Sequence, residues 1–149
     1  MRTITKETTS IESALAEEFG CDESEIRIQS WDHYGLSVYR VNGKDVAVGT
    51  DAECDKACQD YIEQTAWAFK PEFILSACGL PSELSEAIGA YCQAECDSAN
   101  DAMVALIKKT CGMDEFASQA ISADGRGHFL SGWDGNEVEL SNGMFAYVN

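Results

Sequence analysis

Apolar positions change their spacing several times along the chain, and each change marks an element. Ile11, Leu15 and Phe19 recur on one helical face before Gly20, behind a T-x-x-E capping box of Thr9 and Glu12. This spacing predicts a helix over residues 10–19. From Glu25 the period becomes two: Ile26 and Ile28 alternate with polar neighbours, followed by Leu36 to Val41 and, beyond Asn42-Gly43, by Val46 and Val48. Asn-Gly between alternating runs signals a tight hairpin, because a type I′ turn needs positive φ at both central residues. Residues 25–49 therefore read as a β-meander.

A second capping box, Thr50 with Glu53, opens a longer helix with Cys54, Ala57, Cys58, Tyr61, Ile62, Thr65, Ala66 and Phe69 along its apolar face. Lys70-Pro71 ends it. Pro71 suits the first turn of a short helix, PEFILSAC, which Gly79 closes. Ser82 then caps a third long helix carrying Leu84, Ile88, Tyr91, Cys92, Cys96, Ala99, Met103, Leu106 and Ile107 on one stripe, stopped by Cys111-Gly112. A last short helix turns Phe116, Ala117, Ala120 and Ile121 inward before Asp124-Gly125. The helical middle spans residues 51–122.

Beyond it the pattern is again strand-like. His128-Phe129-Leu130, Glu137 to Leu140 and Met144 to Val148 are separated by the turn dipeptides Asp134-Gly135 and Asn142-Gly143, giving C-terminal hairpins over residues 127–148. The expected fold is a single α+β domain over residues 1–149. In it, the two strand groups pair into one antiparallel sheet and the helical middle packs on one face.

Charge adds the next constraint. The chain carries a formal net charge of -16, and residues 45–107 hold twelve acids against only Lys56 and Lys70. No basic residue lies between Lys70 and Lys108. Such a field repels phosphate backbones and anionic lipid headgroups and attracts basic surfaces, so direct nucleic-acid and membrane binding are disfavoured and a basic protein partner is favoured. No run approaches the ~20 apolar residues that span a bilayer, and the first twenty residues lack the apolar run of a secretory signal, so the expected location is the cytoplasm.

Three groups of residues are candidates for chemistry. Cys54/Cys58 and Cys92/Cys96 are two Cys-x3-Cys pairs, and residues four apart share a helix face, so two neighbouring helices would bring four sulfurs together for Zn²⁺, Cu(I) or an iron–sulfur cluster. Against this, structural zinc sites use Cys-x2-Cys knuckles in loops. These four thiols lie in apolar stripes, where free cysteine behaves as a small hydrophobe, so packing is the preferred reading and no cofactor is expected. The second group is the outward acids Asp51, Asp55, Glu63, Glu83, Glu86, Asp97 and Asp101, which can imitate a row of DNA phosphates in the basic groove of a nucleic-acid enzyme. The third is the glycine-rich segment 125–140, which concentrates Arg126, His128, Trp133 and Asp134. It serves a hairpin equally well.

Enzymatic features are sparse. His33 and His128 are the two histidines, Asp32 precedes His33 without being placed beside it, and neither a P-loop nor a GxGxxG is present.

The tail GRGHFLSGWDGNEVEL followed by MFAYVN resembles the ending of a group of small acidic proteins encoded by phages, prophages and plasmids. In that group a GRGHFLS segment precedes an aromatic-Asp-Gly turn and a Glu-rich strand. The stretches DAECDKACQDYIEQTAWAFKPEFIL and ECDSANDAMVALI and the hairpin before VGTD are similar to that group too, so the resemblance covers most of the chain. The group has no assigned activity, transfers no catalytic residues, and does not include the cysteines in its pattern. The resemblance implies a non-enzymatic accessory protein inside a bacterial host cell. It would bind a host protein with a basic surface, as an acidic, DNA-mimic-like inhibitor of a defence or DNA-handling enzyme. The alternative is a metal-binding or redox-sensitive structural protein built on the two Cys-x3-Cys pairs.

Overall fold

A computed structural model describes residues 10–149, and the fold is α+β. The chain gathers into two compact units: the segment up to Cys58 together with Arg126–Asn149, and Gln59–Gly125.

The first unit is built on a five-stranded antiparallel sheet, ordered β1 (Arg27–His33), β2 (Leu36–Val41), β3 (Lys44–Gly49), β5 (Phe145–Val148), β4 (Val138–Glu139). The expected union of the two strand groups is thus present, through the pairing of Val46 with Val148 and Val48 with Ala146. Asn42 and Gly43 have φ of 52° and 79°, the left-handed pair that a type I′ hairpin demands. Tyr34 and Gly35, at 54° and 90°, make a second such turn, and the Asp32 carboxylate accepts from the Gly35 N–H at 2.7 Å.

Whereas β1 has no buried residue, alternation gives the central strands β2, β3 and β5 two buried faces. Tyr39, Val41, Val46, Val48, Ala146 and Val148 point to one of them, where Ala14 and Leu15 of helix α1 (Ile11–Phe19) complete the cluster. Truncating a fully buried leucine such as Leu15 costs roughly 2–5 kcal/mol in such a setting. Ser10 caps α1, its hydroxyl accepting from the Ser13 N–H at 3.0 Å. The capping box expected of Thr9 with Glu12 involves a residue outside the described ones.

The opposite face carries Leu36, Val38, Ala47 and Tyr147, all buried, and receives the start of helix α2 (Asp51–Gln64). Gly49 permits that approach, since a Cβ there would stand 2.5 Å from Leu36 Cδ2 and 3.4 Å from Cys54 Sγ. The Thr50/Glu53 capping box closes reciprocally: the Glu53 N–H donates to Thr50 Oγ1 at 3.2 Å, and the Thr50 N–H to Glu53 Oε1 at 2.8 Å.

Between α2 and β4 the sequence expectation of a strand at 128–130 is corrected. Arg126–Leu130 is a one-turn helix, α7. A strand would turn Phe129 and Leu130 to opposite faces, whereas the helix buries both, at 7% and 0% exposure. The C-terminal meander is therefore one hairpin. Residues 140–144 join its strands, with the Leu140 N–H donating to Met144 O at 2.8 Å and the Gly143 N–H to Leu140 O at 2.9 Å, so Asn142-Gly143 is not a two-residue turn between them.

The second unit is helical. It comprises α3 (Pro71–Cys78), α4 (Ser85–Glu95), α5 (Asn100–Lys109) and α6 (Met113–Asp124), beside the end of α2. Proline opens α3 and Gly79, at φ 70°, closes it as expected. Phe69, Phe73 and Phe116 form a triangle of rings with centroids 5.3–5.7 Å apart, around which Ile62, Ile74, Met103 and Ile107 are buried.

The continuous helix expected from Ser82 to Thr110 is broken at Cys96, whose φ of 53° and ψ of -130° lie outside any helix. Asp97, Ser98 and Asn100 follow immediately, and their short polar side chains compete for the backbone. Asn100 is also held by tertiary bonds, donating to Glu63 O at 2.8 Å and accepting from the Trp67 N–H at 3.2 Å, and this sets the start of α5. Among the described residues no helix is long and apolar enough to cross a membrane.

Candidate functional site

The glycine-rich segment that drew attention in the sequence folds back onto the first unit, and Arg126 is its centre. Gly125, at φ 83°, turns the chain out of α6. Gly127 lets the following loop cross the helix, because a Cβ there would lie 2.4 Å from Gly135 O. The Arg126 side chain is only 10% exposed. Its Nη1 contacts the carboxylates of Asp51 at 2.9 Å and Asp55 at 3.0 Å, and donates to Asp51 O at 3.0 Å. Its Nε donates to Glu137 Oε1 at 2.7 Å, and the guanidinium lies 4.8 Å over the Phe145 ring. Asp51 and Asp55 sit four residues apart on α2, and Phe145 and Tyr147 two apart on β5, so helix and strand periodicity deliver these groups to one place.

The network continues inward. The Tyr147 hydroxyl, fully buried, donates to Glu137 Oε1, and the Cys54 thiol hydrogen-bonds to Tyr147. Burial pulls the Arg126 pKa down, but the hydrogen bond to Glu137 and the surrounding anionic groups outweigh it and hold the guanidinium firmly charged. Burial, then the bonds to Cys54 and Glu137, raises Tyr147 above its ordinary range. Burial likewise raises Cys54 and pushes Cys58 up to about 12, against the opposing pull of Arg126. Both thiols are therefore protonated near neutrality. A thiol nucleophile needs the reverse shift, so this cluster lacks the electrostatics of thiolate catalysis. Its chemistry is that of a clamp joining α2, α7 and β5.

The other residues singled out in this segment divide. Asp134 organises the turn: its carboxylate accepts from the Asn136 N–H at 3.0 Å and lies 3.0 Å from Ser131 Oγ, and the Asn136 bond lowers its pKa first. Trp133 is 64% exposed, with Lys44 Nζ 3.6 Å above its ring, and its backbone N–H donates to Val148 O at 3.1 Å. His128 is exposed, packed edge-on to Phe129. Asp32 and His33 form no acid–base pair: Asp32 serves the Gly35 turn, while His33 Nε2 donates to Leu130 O at 3.1 Å. Burial lowers the His33 pKa in spite of that bond and of Asp32.

The acids of the helical middle also divide. Asp51 and Asp55 belong to the Arg126 clamp, and Glu63 pairs with Lys108 at 3.0 Å. Glu83, Glu86, Asp97 and Asp101 are exposed. The two Cys-x3-Cys pairs differ from each other. Cys54 and Cys58 are both buried on α2, whereas the break at Cys96 exposes that thiol and leaves Cys92 buried alone. Among the described residues, no group of three or more His, Cys, Asp or Glu side chains is arranged to hold a metal ion.

Sequence reasoning missed Glu137, Phe145 and Tyr147. The available signal was Arg126 itself, since an arginine in an apolar, glycine-rich segment that is drawn into the fold must find carboxylates. Compared with known proteins, the chain matches no family model, no curated protein and no solved structure.

Proposed function

We propose that this chain is a non-catalytic binding protein whose acidic helical unit engages a basic surface of a host protein. The reading rests on one observation: Glu83, Glu86, Asp97 and Asp101 are exposed on a stretch that contains no lysine or arginine between Lys70 and Lys108. A field of one sign accelerates encounter with the opposite sign and rejects phosphate backbones. The binding surface is therefore Glu83, Glu86, Asp97 and Asp101. Asp51 and Asp55, though exposed themselves, are paired with Arg126, and Glu63 is paired with Lys108. On the resemblance to small acidic proteins of phages and plasmids, the partner is a defence or DNA-handling enzyme whose nucleic-acid groove is basic, and the effect is inhibition in the bacterial cytoplasm. The reading needs neither cofactor nor metal.

The test is affinity capture from a nuclease-treated bacterial lysate, beside an unrelated protein of equal acidity. A basic, nucleic-acid-handling protein retained specifically by this chain supports the proposal. Identical capture by both baits reduces the acidity to ordinary ion exchange and contradicts it.

A further inference from the structure

Helix α4 is the least buried long helix of the second unit. Of its eleven residues only Cys92 is buried. Gly89 gives a second point of attachment, since a Cβ there would come 3.1 Å from the Pro71 ring at the start of α3. The residue before α4, Leu84, already has helical dihedrals (φ -82°, ψ -5°), so its side chain continues the helical surface.

Away from that attachment, Leu84, Ala87, Tyr91 and Ala94 are all exposed, Leu84 at 43% and Tyr91 at 41%. Their spacing of three, four and three is that of the a and d positions of a helix seam, alternating large and small side chains. Single apolar residues scattered over a surface are ordinary, but four successive seam positions left open, Leu84 in the 3-10 turn just before α4 and the other three on α4, form a continuous row. Exposed Glu83, Glu86 and Glu95 flank it.

We infer that the Leu84–Ala87–Tyr91–Ala94 row of α4 is a docking surface for a basic amphipathic helix of a partner protein. The apolar row calls for a helix with its own apolar seam, whose side chains enter the spaces beside Ala87 and Ala94. The flanking glutamates decide its charge. A second copy of this chain would bring the same three glutamates against the first set, and like charges across an interface oppose pairing, whereas lysines and arginines beside a partner's seam neutralise them. This inference rests on the reading of the acidic unit as a binding surface and adds the mode of recognition.

The probe is a synthetic three-heptad peptide with leucine at a and d and lysine elsewhere, compared with a scrambled peptide of identical composition. Binding is read by fluorescence anisotropy at physiological salt. The patterned peptide is expected to bind about tenfold or more tighter than the scrambled one, a difference of about 1.4 kcal/mol. The Leu84→Glu/Tyr91→Glu variant is expected to erase that difference. Both substitutions fall at exposed positions and add negative charge, so a loss of binding belongs to the apolar row, and circular dichroism confirms the fold. Equal binding of both peptides overturns the seam while leaving the acidic surface intact as a binding site. Failure of both peptides to bind overturns the two readings together. Self-association in sedimentation that Tyr91→Glu abolishes would assign the row to a second copy instead.

Discussion

Arg126 joins three carboxylates, a buried tyrosine and an aromatic ring, and its chemistry at neutral pH is fixed by that company. Removing the cation leaves Glu137 and Tyr147 facing each other without a donor from the guanidinium, and because Glu137, Asp51 and Asp55 all keep contact with solvent the loss is expected to cost about 2 kcal/mol. Arg126→Ala is therefore expected to lower the urea midpoint markedly. Trp133→Ala, at an exposed ring with one lysine above it, should shift stability by less than about 1 kcal/mol. Equal effects from the two substitutions would contradict the assignment of Arg126 to the clamp. His33 gives a pH signature. Its folded pKa lies below the ordinary 6.5, so the unfolded chain takes up the proton first. Its contribution to stability is fully present above pH 6.5 and is lost as the pH falls through 6.5 toward the folded value. His33→Gln should flatten the stability profile between pH 7.5 and 5.5, a window chosen around the reference histidine pKa of about 6.5. An unchanged slope would show that His33 is not the group responsible.

At the scale of elements, the break between α4 and α5 makes the sharpest prediction, because its sign depends on the backbone. With φ of 53° at Cys96, Cys96→Gly relieves a conformation that disfavours a β-carbon and should stabilise the chain by about 1 kcal/mol. In a continuous helix the same change would destabilise it by about 1 kcal/mol, and Cys96→Ala would stabilise it. Thermal unfolding of the two variants separates these cases. The periodic elements were legible in the sequence: the α1 stripe, the Asn42-Gly43 hairpin, the Thr50/Glu53 box and the Pro71 and Gly79 boundaries all recur in the structure. What escaped was decided by contacts distant in sequence. Asn100 answers to Glu63 and Trp67, and α7 forms because Gly127 can lie against Gly135. The Tyr34-Gly35 turn escaped because tyrosine carries no chemical signature for positive φ, and its stabilising carboxylate, Asp32, looked instead like the partner of a histidine. Of the candidate site, the residues were legible but not their allegiance. Asp51 and Asp55 look like free outward acids until Arg126 is placed between them and Glu137.

At the scale of the molecule, the acids with internal partners fall mainly at the start and end of α2, and the exposed acids of the binding proposal fall from Glu83 to Asp101. That separation makes the binding claim testable by charge reversal without touching the clamp. The measurement is affinity capture from a nuclease-treated bacterial lysate with the wild-type chain beside a variant carrying Glu83→Lys, Glu86→Lys, Asp97→Lys and Asp101→Lys, both shown by circular dichroism to be folded. Retention of a basic protein by the wild type and its loss from the variant is the predicted result. The same proteins recovered by both chains would contradict the claim that this acidic stretch is where the protein meets its partner.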